Sequence, residues 1–455
     1  MPQDMARAGA KATATKKARH KSLPREPSLT AITLRGFKSF RDETRIEIRP
    51  LTLLAGANSS GKSSAIQPLL LLKQTLEAGY DPGPLLLDGP NIKFTAMEQT
   101  LWRDLRPKNG GAGFSVSLER LRESTRFRFA EAKDGSVDLR EVAYQGAGDS
   151  FTLRPSMTDA ELRSRAIFPR ITQQVLKSKN YSFRVTRDRC SLCVLAETSD
   201  RSELGRLKMF ADPFDPLEPA VRGLIHLPGL RGNPERAYVT TAVGRYFPGL
   251  FQTYTASIIS RWSDTGDARL ASLGDALAKL GLAFHVEQRR LDATRIELRV
   301  TRFASPEQGH IHDTVNIADV GFGVSQTLPV IVALLAAAPG QAVYLEQPEI
   351  HLHPRAQVAL AGLLLDAAKR GVVVIAETHS DLLLRSIQRA VAASEVDPSL
   401  VALHWFERDK KTGATKVSSA ELDAAGTYGD WPIDFADVEL KLESDFLDVS
   451  LRHPT

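Results

Sequence analysis

Apolar residues in this chain fall into two recurring patterns: short continuous runs bounded by turn residues, and longer stretches with helical spacing. Leu51-Thr52-Leu53-Leu54-Ala55, set off by Pro50, reads as a buried strand, and Ser64 to Glu77, rich in Leu, Lys and Gln, reads as a helix. Two strands are predicted upstream, at Ala31–Leu34 and Arg45–Ile48. From Phe114 to Leu153 apolar and polar residues alternate, as in half-buried antiparallel strands. Thr158–Lys177 and Gly249–Trp262 look helical, Ala271–Leu280 forms a short amphipathic helix, and Ala283–Val300 returns to strands. Further on, Val343–Leu345 and Val372–Ala376 are apolar runs of strand length, with a helix predicted over Thr327–Ala338. No long heptad repeat is present, which argues against coiled-coil arms. Strands and helices in this mixture predict an α/β fold.

The first strand and helix enclose Gly56-Ala57-Asn58-Ser59-Ser60-Gly61-Lys62-Ser63, of the form GxxxxGK[ST]. Glycines let such a loop turn its N–H groups inward onto phosphate oxygens, and the following helix N-terminus adds partial positive charge. Lys62 is expected to reach the β- and γ-phosphates and the Ser63 hydroxyl to take a place on Mg²⁺, with Ser64 also among the nucleotide-binding residues. The bland alternative is a glycine turn before a helix; the strand and helix on its flanks favour nucleoside triphosphate binding.

Two other carboxylate- or histidine-bearing segments lie far downstream. The run Val343-Tyr344-Leu345-Glu346 ends in an acid that would hold a water on Mg²⁺ at the C-terminal edge of a parallel sheet. After Val372–Ala376 comes Glu377-Thr378-His379-Ser380, where His379 either contacts the γ-phosphate or is an ordinary loop histidine. Between Ser63 and these segments lies Asp319-Val320-Gly321-Phe322-Gly323-Val324-Ser325-Gln326. Ser325 is the expected N-cap of the helix that follows, with Pro329 near its first turn.

Together these residues resemble the ABC-type P-loop ATPases, in the RecF-like and OLD-like branch that works on DNA. A closer resemblance is to a bacterial family within that branch, through the phosphate loop, Leu69 to Gln74 (LLLLKQ), Leu227 to Arg236 (LPGLRGNPER), DVGFGVSQ, EQPEIHLHP and a C-terminal Gly-x-x-x-Asp-Trp-Pro at Gly426 to Pro432. It covers most of the chain from Ile32 onward. Pro68, inside the helix after the loop, departs from the pattern and predicts a kink or break there. The resemblance implies ATP and Mg²⁺ as cofactors, with Ser63 and Glu346 on the metal. It implies that Gly321, Gly323 and Ser325 form a signature loop acting in trans across a homodimer, so that two ATPs are buried at a two-fold interface. It places Gly36 to Phe40 near the base, with Phe40 or Arg35 as adenine contacts. The family's water-orienting Glu follows the metal-site acid; here that position is Gln347, whose amide cannot take a proton. Glu349 could supply the carboxylate, so the candidate catalytic set is Glu346, Gln347, Glu349 and His379. Slow hydrolysis and a long-lived closed dimer follow. Relatives sit beside nucleases in repair or anti-phage systems, which implies DNA or a partner effector as partners.

The long stretch between the phosphate loop and the Glu346 strand predicts an ATPase lobe split by an α+β insertion. The expected segments are a basic tail (1–27), the first part of the lobe (28–105), the insertion (106–305), the second part of the lobe (306–398) and a C-terminal extension (399–455). After His379 no Asp-x-Asp metal cluster occurs, so DNA cleavage by this chain itself is not expected. Asp434, Asp437 and Glu439 read as the solvated side of a terminal helix.

Charge and composition change little of this. The 455 residues carry a net charge of +5 with 42% hydrophobic content, ordinary for a globular protein. The segment Met1–Pro27 is basic and poor in large apolar residues; it either holds nucleic acid loosely or is a solvated tail. Glu421–Asp448 carries nine acids against Lys441 alone. Cys190 and Cys193 form a lone CxxC, read as core thiols over a redox or metal pair. No run of about eighteen apolar residues occurs; the longest, Leu328–Pro339, is of core-helix length, and the expected location is cytoplasmic, with no membrane partner. Arg231 and Arg236 flank a Gly-Asn-Pro turn, where they either meet a phosphate or carboxylate or are solvated.

Overall fold

The computed structural model describes residues 27–105, 112–146, 148–164, 181–198, 206–209, 212–302 and 313–429, with 444–445 and 448. Its centre is a six-stranded sheet in the order Ile225–Leu227, Ala342–Glu346, Val373–Thr378, Leu51–Gly56, Val401–Arg408, Thr415–Ala420. The first five strands are parallel and the last is antiparallel to its neighbour. Apolar runs suit these positions because both faces are covered. Successive residues point to opposite faces, and the core divides accordingly. Leu53, Leu345, Ala376 and Leu403 join a cluster with the helices Phe322–Ala336, Pro354–Lys369 and Asp381–Ala392. Leu54, Tyr344, Ile375 and Phe406 join another with the helix Lys62–Glu77.

That second cluster extends into a six-stranded antiparallel sheet in the order Thr44–Glu47, Ala31–Arg35, Gly113–Arg120, Glu123–Glu131, Val137–Gly146, Asp149–Leu153. Two smaller antiparallel sheets are built from 181–209 and from 238–316. Pairing therefore crosses the segment boundaries read from the sequence. Gly113–Arg120 lies against Ala31–Arg35, and Ile225–Leu227 forms the edge of the central sheet, both from within 106–305. Val401–Arg408, from 399–455, lies directly beside the phosphate-loop strand. Its run Val401 to Phe406 is buried throughout, which a peripheral extension would not require.

Local expectations fared unevenly. The helix after the loop begins at Lys62 and passes Pro68 as one continuous element, so the predicted break does not occur; Pro68 is buried in it. The downstream helix begins at Phe322, with extended Gly321 as its N-cap and no side-chain cap bond. Ser325 is therefore not the cap but an interior residue, its hydroxyl donating to Phe322 O at 3.3 Å. Pro329 lies inside the helix, beyond its first turn. Arg269–Lys279 and the hairpin His285–Arg290 with Arg295–Thr301 match the predicted amphipathic helix and strands. A 3₁₀ turn, Phe251–Tyr254, leads into the helix Thr255–Thr265. Of Thr158–Lys177 the helix Asp159–Ser164 is described, and the rest lies outside the described residues. So do the basic segment 1–26, Asp-Trp-Pro at 430–432 and most of the acidic C-terminal stretch. Cys190 and Cys193 are buried, and burial pushes the Cys190 thiol far up from its ordinary value. Among the described residues no helix is long and apolar enough to cross a membrane.

Candidate nucleotide site at the C-terminal edge of the central sheet

The phosphate loop leaves its strand at Gly56, where φ is +137° and a Cβ would lie 2.2 Å from Phe406 O. Only glycine fits that approach. Gly61 repeats the requirement at φ +111°, with a Cβ 2.4 Å from Thr415 Oγ1. The Thr415 hydroxyl in turn donates to Ser60 O and lies in hydrogen-bond reach of the Ser39 hydroxyl, each at 2.7 Å. The strands from 401–420 thus brace the loop from the side. Inside it, Lys62 is buried and folds back to donate to Gly56 O at 3.0 Å and Ala57 O at 2.8 Å. Burial lowers its pKa. The Ser60 hydroxyl is buried without a partner.

Ser63 Oγ donates to Glu377 Oε2 at 2.8 Å, and Tyr344 OH donates to Glu377 Oε1. Glu377 is 3% exposed. Burial lifts its carboxyl to about 7, a neighbouring Glu346 charge adds to the rise, and the two hydroxyl donors oppose it. Glu346 and Glu377 are register partners on adjacent parallel strands. Glu346 itself is held by His226 Nε2 at 3.1 Å and by the Gly229 N–H at 3.2 Å. Its burial works to raise its pKa, but these donors hold it below the ordinary value. His226 is buried, stacks on Tyr344 with ring centroids 5.3 Å apart, and meets Asn91 Oδ1 through Nδ1 at 3.1 Å.

Gln347 adopts φ +44°, a left-handed backbone uncommon outside glycine. Its N–H donates to Glu377 O at 3.0 Å, and its side-chain oxygen lies beside Gly229. Glu349 is buried under the next turn: Oε1 accepts from Thr378 Oγ1 at 2.7 Å and from the His379 N–H at 2.9 Å, whereas Oε2 has no partner. One carboxylate oxygen therefore holds the His379 turn in place. The His379 ring is half-buried and meets the Gly56 carbonyl, and burial followed by the nearby Lys62 charge lowers its pKa. A neutral ring at pH 7 follows, with the Gly56 contact favouring an N–H on that side.

Arg231 is not a solvated turn residue. It is 7% exposed and donates to Gln326 O at 3.2 Å, Glu346 O at 2.9 Å and Gln347 O at 3.3 Å. Burial pulls its pKa down to about 10, which leaves it charged at neutral pH. Arg236 is exposed and forms a two-bond pair with Asp319, at 2.6 and 3.2 Å.

Beside the loop lies a cleft of about 600 Å³, lined by Ser59 to Ser64 and by Lys38, Trp102, Arg103 and Arg408. Its size suits a nucleotide. Phe40, expected as an adenine contact, is fully buried and packs edge-on against Phe406, and Arg35 is not among the lining residues. The structure gathers Gly56 to Ser63, Glu346, Gln347, Glu349 and His379 at one sheet edge. Gly321, Gly323 and Ser325 do not line the cleft; Gly321 faces open space and Phe322 is 54% exposed.

Glu377, Tyr344, His226, Asn91 and Thr415 were not singled out as site residues from the sequence. Glu377 had a usable signal, an acid closing a buried apolar run as Glu346 does; His226, inside Ile225-His226-Leu227, had a weaker one. Oxygen donors alone (Ser63, Glu346, Glu377) are a set suited to a hard divalent cation.

Two family models match. Residues 28–119 match the family described as "AAA ATPase domain", and residues 243–385 match "AAA domain, putative AbiEii toxin, Type IV TA system". No curated protein matches the chain by sequence. Among solved structures it is similar to a Smc head bound to the C-winged helix domain of ScpA, at 14% identity and TM-score 0.49, covering 88% of this chain and 99% of that one. It is also similar to the SMC head domain from Thermotoga maritima, at 13% identity and TM-score 0.36, covering 86% and 98%. A third is a Smc head with an extended coiled coil, bound to the C-terminal domain of ScpA, from Pyrococcus furiosus, at 11% identity and TM-score 0.43, covering 92% and 99%. A phosphate loop on a five-strand parallel core, with two AAA-type matches over parts of the chain, makes this a P-loop NTPase of mixed α/β fold and supports an ATP-binding ATPase.

Proposed function

We propose that the chain is a Mg²⁺-dependent ATPase that dimerises around ATP and hydrolyses it slowly. The observation that carries this reading is the convergence of Lys62, Ser63, Glu346 and His379 on one loop, each fixed by a named partner. Phosphoryl transfer depends mostly on positioning and charge neutralisation. Lys62 leaves the Gly56 and Ala57 carbonyls for the phosphate oxygens, and the loop N–H groups take the remaining charge. Ser63 and Glu346 would hold Mg²⁺, which neutralises charge on the β- and γ-phosphate oxygens. His379, neutral and next to Gly56, turns its one N–H from the Gly56 carbonyl to the γ-phosphate. Gln347 orients the attacking water through its amide but accepts no proton, and Glu349 has one oxygen committed to the His379 turn. Hydrolysis is slow for that reason.

In the dimer Gly321, Gly323 and Ser325 face the nucleotide of the other subunit. The exposed Phe322 and the open space at Gly321 support such a use. DNA or an effector protein such as a nuclease is the partner this cycle serves, in repair or anti-phage defence. A second reading, an ATP-gated interaction module with little turnover, is favoured by Gln347. Steady-state ATP turnover of the chain beside Lys62→Ala separates the two. Turnover lost in the variant makes it an ATPase; turnover no higher than the variant's, with ATP still bound, makes it a gated module. Stimulation by DNA that fades as salt rises would support the DNA partner.

A further inference from the structure

The acid at the end of the second strand has no role in the reading above, yet it is the carboxylate that Ser63 touches. Glu346 and Glu377 sit side by side in register, on the sheet face that carries Tyr344, Ile375 and the Ser63 helix. Adjacent strands are about 4.8 Å apart, so two charged carboxylates here repel unless a proton or a cation is shared between them. Among the described residues no ion pair reaches Glu377, whose oxygens are met by two neutral hydroxyls, Ser63 and Tyr344. Lys62, whose charge bears on it, is bonded to loop carbonyls. A carboxylate buried without a cationic partner is costly. Ser63, Glu346 and Glu377 present a hydroxyl and two acids, the donors of a hard divalent ion.

We infer that Glu377 is a second carboxylate of the cation site, holding the divalent ion that accompanies ATP jointly with Ser63 and Glu346. The inference rests on the nucleotide-binding reading and adds a ligand to it. It makes the cation site doubly acidic, so that ATP binding by this chain depends on the divalent ion more steeply than one carboxylate would allow. Tyr344 is the positioning residue that aims Glu377 at Ser63.

The test is ATP binding to the full chain by titration calorimetry, in Mg²⁺ and in EDTA, for wild type, Lys62→Ala, Glu377→Gln and Glu377→Asp. Mn²⁺ bound to the ATP complex is followed in parallel by electron paramagnetic resonance. Glu377→Gln should raise the metal half-saturation at least about tenfold while leaving affinity in EDTA unchanged or tighter. Glu377→Asp, which keeps the charge but retracts it, should shift less, and it decides the matter if the Gln variant does not fold. Wild-type half-saturation for Mg²⁺ and Mn²⁺ in the folded Glu377 variants overturns the inference and leaves the nucleotide site standing. ATP binding absent from wild type, or equal in Lys62→Ala, overturns the nucleotide reading itself.

Discussion

Two glycine-bearing loops open helices in this molecule, and they are built in opposite ways. The phosphate loop is braced by its own chain: Gly56 backs onto Phe406, Gly61 onto Thr415, and Lys62 closes onto two carbonyls. The loop at Gly321 to Gln326 has no side-chain cap, faces open space at Gly321 and leaves Phe322 54% exposed. It is anchored at Gln326, whose carbonyl Arg231 ties to those of Glu346 and Gln347 and whose amide donates to Gly232 O. A loop completed from within holds its ligand geometry alone. A loop left open has groups that another molecule must complete, as the dimer proposal requires.

The contrast can be broken most forcefully at Lys62. Lys62→Ala should cut ATP turnover at least about a hundredfold, far more than the modest loss of stability from freeing the Gly56 and Ala57 carbonyls, because the side chain serves phosphate. Equal turnover in the variant would remove the phosphate loop from the chemistry. Next comes the anchor between the two loops. Arg231→Ala removes a buried donor from three carbonyls and should cost about 3 kcal/mol in denaturant unfolding, whereas exposed Arg236→Ala should cost far less. Similar losses for the two would mean that Arg231 is not the tie.

The acid beneath the braced loop yields a pH signature in metal-free protein. The Glu377 carboxyl is raised from 4.5 to about 7, so the folded state binds a proton that the unfolded chain has already lost over that window. Stability is therefore fully present below pH 4.5 and declines as pH rises through 7, by roughly 2–3 kcal/mol. Thermal melts from pH 5 to 8 should show this decline in wild type and a flatter profile in Glu377→Gln; parallel profiles would count against it. The smallest effects set the loops directly against each other. Gly61→Ala forces a Cβ into Thr415 at φ +111° and should cost about 1–3 kcal/mol. Gly321→Ala, at φ −63° in open space, should change stability by under about 0.5 kcal/mol yet weaken ATP-dependent dimerisation, read by light scattering with and without ATP.

Local signals were read well where the chain's own neighbours decide the geometry. The strand Leu51–Gly56 and its loop follow from an apolar run closed by glycine, and the amphipathic helix near 271–280 from its spacing. Ser325 misled because a serine before an apolar run resembles a cap, while extended Gly321 had already started the helix. Pro68 misled in the other direction: a helix buried among Leu69 to Leu72 and its neighbours in the core withstands one missing N–H.

What the sequence determined alone is the set of chemical groups for a nucleotide: the backbone-rich loop, Lys62, Ser63, an acid at the end of Val343–Glu346 and a histidine after Val373–Thr378. Each is encoded within a few residues, by strand length and turn chemistry. Only the tertiary structure decided which of them meet. Sheet register put Glu377, and not Glu346, on the Ser63 hydroxyl, and brought His226, itself met by Asn91, to Glu346 from distant segments. It also placed residues 401–420 against the phosphate loop. Register is set by burial on both faces of a sheet assembled from distant segments, and no local window of sequence contains that information.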